Sequence, residues 1–265
     1  DFYPEDWRAR RALFDAWEDA ARRWGFEFFD APVVETLELL KRKAGEEIAD
    51  QIYNFTDKSG RELALRPELT PSLARMVIAR QGTLTFPIKW SAIPQCFRYE
   101  RTTRGRKREH YQWNLDIVGE ESVMAEAEVI GAAVAALRTL GLTSADARVR
   151  VGSRALLAAL FEQSGLAQEH FLPCCLALDK RGKISDDEVR ELLAKEGLPP
   201  EAIDQVFRLL AIDSLDGAAR AFPQSDAIAQ AITRLRELFS LAGELGFADW
   251  LTFDLAGVRG LGYYT

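Results

Sequence analysis

The residues best suited to chemistry lie between Phe97 and Gly119, in FRYERTTRGRKREHYQWNLDIVG. Read as two strands and a loop, this stretch places Arg98 and Glu100 on one face and Phe97 and Tyr99 on the other, because strand side chains alternate. The return strand divides the same way, with Gln112, Asn114 and Asp116 opposite Tyr111, Trp113, Leu115 and Ile117. A cation, two carboxylates and amides on one face, beside Arg101, Arg104, Arg106, Lys107 and Arg108 around Gly105, form a local positive cluster in a chain of net charge -7. Such a concentration predicts an anionic ligand. A solvated antiparallel hairpin would show the same alternation.

FRYER followed by a basic loop and a return strand resembles motif 2 of the class II aminoacyl-tRNA synthetases. The later run Val258-Arg259-Gly260-Leu261-Gly262-Tyr263-Tyr264-Thr265 narrows the resemblance to the histidyl-tRNA synthetases. It implies an α+β fold, a class II antiparallel sheet flanked by helices. Residues 1–152 and 247–265 would form the catalytic core and 153–246 a helical insertion.

Several elements must position these residues. Leu13, Trp17, Ala20, Ala21 and Trp24 recur at helical spacing from Glu5 to Gly25, and Gly25 suits a left-handed stop. Phe26–Phe29 reads as a short strand, with Pro32 at its end or edge. In the resembling family this helix and strand form motif 1, which builds a dimer interface. Ile52–Thr56 and Glu62–Arg66 flank Asp57-Lys58-Ser59-Gly60, which has turn chemistry throughout. Then Arg66-Pro67-Glu68-Leu69-Thr70-Pro71 predicts a helix capped by Thr70, with Pro71 in its first turn. Val123 to Leu137 reads as another helix, Arg148–Val151 as a strand, Ser153 to about Gly246 as almost wholly helical, and Trp250–Leu255 as a resumption of the sheet.

The resemblance implies attack of the histidine carboxylate on the α-phosphate of ATP, brought in with Mg2+, and then transfer of histidine to tRNA(His). Because the nucleophile belongs to the substrate, no catalytic Ser, Cys or His is required. Arg98 and Arg259 are the implied catalytic cations: Arg98 on the α-phosphate, Arg259 between that phosphate and the amino-acid carboxylate. Glu100 and Arg106 would complete the ATP site. Glu68, Leu69 and Thr70 would hold the histidine ammonium group, and Gln112, Asp116, Tyr263 and Tyr264 its imidazole. Arg101, Arg104, Lys107 and Arg108 would contact the tRNA acceptor stem, mostly through phosphates. Two positions depart from the family pattern: Asp116 stands where many relatives have Glu, and Gly262 where Asp is frequent.

Other classes are excluded or set aside. The 265 residues, 48% hydrophobic and 28% charged, are ample for a sizeable core. No apolar run approaches the roughly 20 residues of a membrane-crossing helix. There is no G-x-x-x-x-G-K-[ST] loop, and Asp179 to Lys183 puts basic residues where a calcium loop needs oxygen ligands. Three cysteines, two of them adjacent, and two histidines give no metal-ligand spacing, so no protein-bound metal is expected. A reducing compartment and cytoplasmic location are expected, with an organelle left open. Motif 3 and an anticodon-binding domain do not appear before Thr265, so the chain is expected to be a fragment, inactive alone. The competing readings are a silent paralogue acting as a regulatory subunit in histidine biosynthesis and a tRNA-sensing domain.

Overall fold

In the computed structural model the described residues are 1–42, 51–100, 102, 103, 105, 107–178, 180, 184–255 and 257. They divide into two compact units, 1–140 and 141–265.

The first unit opens with α1, Pro4–Arg23, which starts at a proline and carries Glu5 and Asp6 in its first turn and Arg22 and Arg23 in its last. That distribution complements the helix dipole. Gly25 takes φ 78°, and the Phe26 N–H donates back to the Ala21 carbonyl at 2.9 Å, as the glycine stop requires. Strand β1, Glu27–Phe28, runs parallel to β5, Ile88–Ala92, which pairs on its other side antiparallel with β8, Asn114–Val118. Above this sheet α1 meets α4, Val123–Thr139. Ala21, Phe26 and Ala132 are buried there, with Trp24, Trp113, Leu115 and Ile117 packed against them. A side chain at Gly131 would begin 2.2 Å from the Trp24 ring, so glycine is what lets the helices approach.

A second sheet has the order β2-β4-β3: Val34–Thr36, Glu62–Leu65 and Asn54–Thr56, all antiparallel. Asp57 Oδ1 accepts from the Ser59 and Arg61 N–H groups at 2.8 and 2.9 Å and Gly60 has φ 81°, which closes the expected hairpin. Leu37 and Leu40 of α2, Leu37–Lys41, pack with Ile52 and Ala64. Helix α3 spans Thr70–Arg80 and begins one residue earlier than a Thr70 cap would allow. Leu69 holds the cap position, no side chain bonds the helix end, and Thr70 is exposed.

The expected pair of strands from 97 to 119 is divided. Strand β6, Gln95–Phe97, pairs antiparallel with β7, Glu109–Tyr111, whereas β8 belongs to the β1-β5-β8 sheet. The return segment therefore changes sheets at Gln112–Trp113. The first strand ends at Phe97, and the Glu100 N–H donates to the Arg98 carbonyl two residues back, so Arg98 and Glu100 do not share a regular strand face.

The second unit is mainly helical: α5 Arg154–Gln163, α6 Phe171–Leu178, α7 Asp186–Lys195, α8 Pro200–Leu210, α9 Leu215–Ala221 and α10 Asp226–Glu244. Strand β9, Val149–Val151, pairs parallel with β10, Leu251–Phe253. Trp250 falls in a short 3-10 turn rather than in the strand. Among the described residues no helix is long and apolar enough to cross a membrane.

Candidate active site

Three hydrogen bonds lace the end of β4 to the β6 segment, and a fourth ties it to the chain just before β2. The Arg66 N–H donates to the Val33 carbonyl and the Phe97 N–H to the Arg66 carbonyl, both at 2.9 Å. Arg66 Nε donates to the Gln95 carbonyl and Arg98 Nε to the Pro67 carbonyl, both at 3.0 Å. This lacing brings Glu68 within the field of Arg98. Burial pushes the Glu68 carboxyl above its ordinary range, and the Arg98 guanidinium opposes that shift. A half-buried carboxylate beside a cation held by a backbone carbonyl could receive an ammonium group on one side and a phosphate on the other. Leu69 is 1% exposed and its side chain belongs to the core.

Three further groups adjoin this pair. Cys96 is fully buried, its thiol pushed up to about 11, chiefly by burial. It remains protonated and lies 3.6 Å from Gln112 Oε1. Gln112 Nε2 and His110 Nε2 are 3.4 Å apart; donation by the amide requires the imidazole to carry its proton on Nδ1. Burial and the Arg98 charge lower the His110 pKa, against a smaller opposing effect of Glu100. Arg98, Glu100, Gln112 and His110 are thus one neighbourhood, although Glu100 reaches it through a tight turn.

Asp116 occupies β8 opposite Trp90. Trp113, Leu115 and Ile117 face the α1 and α4 core, and alternation along β8 puts Asn114 and Asp116 on the reverse side. Burial alone pushes the Asp116 carboxyl up to about 6. Its Oδ2 is buried without a hydrogen-bond partner, a costly state for a polar atom and one that a polar ligand would relieve.

In the basic loop, Arg108 donates through Nε to the Glu100 carbonyl at 3.4 Å and stacks 4.2 Å from the Tyr99 ring centre. Lys107 Nζ is 6.0 Å from the Phe2 ring centre. Arg101, Arg104, Arg106, Arg259, Tyr263 and Tyr264 lie outside the described residues. Two described cavities, one lined by Gly25, Glu27, Pro87 and Lys89 among others and one along α10 from Asp226 to Glu237, touch none of the candidate residues. Sequence reasoning passed over Arg66, Cys96 and His110. The one local signal was Arg66 at the start of Arg-Pro-Glu, since a residue before proline is biased toward extended backbone.

The histidyl-tRNA synthetase family profile matches residues 1–265. A histidine–tRNA ligase of Arabidopsis thaliana, chloroplastic/mitochondrial, is 46% identical over the whole chain, which covers 54% of that protein. The histidine–tRNA ligase of Natronomonas pharaonis is 40% identical over the whole chain, which covers 61% of it. The chain therefore spans about half to three-fifths of these relatives. Among solved structures, a histidyl-tRNA synthetase from Nostoc sp. superposes with TM-score 0.81 at 24% identity, covering 97% of this chain and 60% of that one. An ATP phosphoribosyltransferase regulatory subunit/histidyl-tRNA synthetase from Bacillus halodurans gives 0.84 at 21% identity, covering 100% and 68%. These two likenesses show the α+β class II fold, and the profile and the identities show the lineage. The chain belongs to the histidyl-tRNA synthetase family.

Proposed function

We propose that the protein of which this chain is part activates histidine with ATP and passes it to tRNA(His). In the first step a histidine carboxylate oxygen bonds to the α-phosphorus. The bond from that phosphorus to the β-phosphate oxygen breaks, and pyrophosphate leaves with the electron pair. In the second step a hydroxyl of the terminal tRNA ribose attacks the activated carbonyl, and AMP leaves. ATP enters as its magnesium complex, so the ion is part of the substrate.

The observation that carries this reading is the lacing that brings Glu68 within the field of Arg98. A carboxylate for an ammonium group next to a cation for a phosphate suits alignment of an amino acid with ATP, and alignment with charge stabilisation is most of what such a transfer needs. In this reading Arg98 neutralises the α-phosphate, Arg259 bridges phosphate and carboxylate, Arg106 takes the outer phosphates and Glu100 helps seat the nucleotide. Glu68, Leu69 and Thr70 surround the histidine ammonium; since the Leu69 side chain is buried, its part is to fix the backbone. Gln112, Asp116, Tyr263 and Tyr264 recognise the imidazole, for which the unpartnered Oδ2 of Asp116 is a fitting acceptor. Lys107 and Arg108, with Arg101 and Arg104, position the acceptor stem. Residues 153–246 act as an insertion on a core of 1–152 and 247–265, the working form is a homodimer, and its place is the cytoplasm or an organelle.

A regulatory-subunit role has support only from the fold shared with the Bacillus halodurans protein. Relatives at 40–46% identity carry the ligase name. Histidine-dependent exchange of pyrophosphate into ATP by the full-length protein tests the proposal. Exchange with histidine and none with other amino acids is expected; its absence with histidine and saturating ATP overturns it.

A further inference from the structure

Arg66 is 2% exposed and is tied into three segments at once. Its Nη1 donates to Asp30 Oδ1 at 2.7 Å and to the Ala31 carbonyl at 2.6 Å, and its Nε donates to the Gln95 carbonyl at 3.0 Å. Its backbone adds the bonds to Val33 and Phe97. One buried residue, through its guanidinium and its backbone together, thus joins residues 30–33 after β1, the end of β4 and β6. Pro67, whose carbonyl holds Arg98 Nε, and Glu68 follow it directly.

A buried charge is costly unless paired and bonded. The Asp30 carboxylate is 70% exposed and screened by water, so the ion pair by itself adds little stability. What the arrangement does supply is geometry. A planar fork bonding three oxygens from two segments restricts distance and angle in a way a lysine cannot.

We propose that Arg66 is a positioning residue that sets the separation of Glu68 from Arg98, with Asp30 as its surface counter-ion. The proposal rests on the histidine-activating reading. Arg66 touches neither substrate in this account. It acts through the 66–68 backbone, so its loss displaces the amino-acid side of the site more than the outer phosphates.

The test is steady-state pyrophosphate exchange by full-length wild type, Arg66→Lys and Asp30→Asn, well below each protein's melting temperature. In Arg66→Lys, KM for histidine should rise and kcat should fall, each by about tenfold, as expected for a displacement of a fraction of an ångström. KM for ATP should stay within about twofold, and Asp30→Asn should raise KM for histidine by about threefold. A merely structural role would reduce the active fraction, scaling kcat and leaving both KM values in place. An unshifted histidine KM in folded Arg66→Lys overturns the proposal. Where Arg66→Lys does not fold, an unshifted KM in Asp30→Asn does so. Wild type without histidine-dependent exchange overturns both this and the function it rests on; active wild type with unshifted variants overturns this alone.

Discussion

The two units begin their helices differently. In the first, Tyr3, Thr36, Leu69 and Ser122 precede α1 to α4, and none accepts a side-chain bond from the helix it precedes. In the second, Ser153, Ser185, Ser214 and Ser225 each accept from an N–H in the first turn of the helix that follows, whereas α8 starts behind Pro199 with no such bond. Buried polar side chains show the reverse. Glu35, Arg66, Ser72 and Ser91, the buried polar or charged residues described, all belong to the first unit. So do Glu68 and Asp116, the carboxyls that burial holds above their ordinary range. The second unit is stabilised by local signals over apolar faces. The first keeps charged groups inside through bonds between distant segments, including Glu35 with Ser72 and Arg75. Departure from local self-consistency is what a functional or strained site is expected to show.

The contrast breaks most sharply at Arg98. Its side chain is half-buried and makes one bond to the Pro67 carbonyl, so Arg98→Ala should lower the melting temperature by only a few degrees, about 1 kcal/mol, while lowering histidine-dependent exchange at least about a hundredfold, the usual cost of one lost donor to developing charge. Near-wild-type exchange would mean that the first unit's buried charges serve packing alone.

Asp116→Asn sharpens it by separating stability from function. The native carboxyl keeps its proton up to about pH 6, while the unfolded chain releases it near the ordinary aspartate value of 3.8. Between those pH values the native state binds more protons, so stability falls as pH rises. Above that window Asn should stabilise the protein by on the order of 2 kcal/mol, and below it the two proteins should converge. Urea melts at pH 3.5 and pH 7.5, chosen on either side of that window, check this. Histidine binding should weaken in the same variant, since the amide offers a neutral acceptor. Equal stability at both pH values would remove the buried charge from the account.

The smallest effect belongs to the second unit. Ser185 and Glu188 form a reciprocal capping box at α7, and Ser185→Ala should cost about 1 kcal/mol in thermal or urea unfolding. Exchange activity measured well below the melting temperature should not change.

This difference also governs how much could be read beforehand. The stop at Gly25, the turn from Asp57 to Gly60 and the helical run after Ser153 are local, and each appears in the structure as its residues imply. Trp113, Leu115 and Ile117 face the core because alternation carries that information. Alternation does not say which strand is the neighbour, so the change of sheets at Gln112–Trp113 was invisible: β7 and β8 obey the same period with different partners. Thr70 has the right chemistry for a cap, yet the helix begins one residue early because Leu69 is drawn into the core. For Arg66 only its place before a proline could be read, and not its part in the fold. Its partners are Asp30, Ala31 and Gln95, and no local pattern marks contacts so far apart in the chain.

The central claim is that Glu68, brought within the field of Arg98 by the lacing of β4 to β6, receives the ammonium of histidine. Calorimetric titration of histidine and of ATP into full-length wild type and Glu68→Gln tests it most directly. The account predicts histidine affinity at least about tenfold weaker, the scale of one charged hydrogen bond, with ATP affinity unchanged. Equal histidine affinity in the two proteins would contradict it.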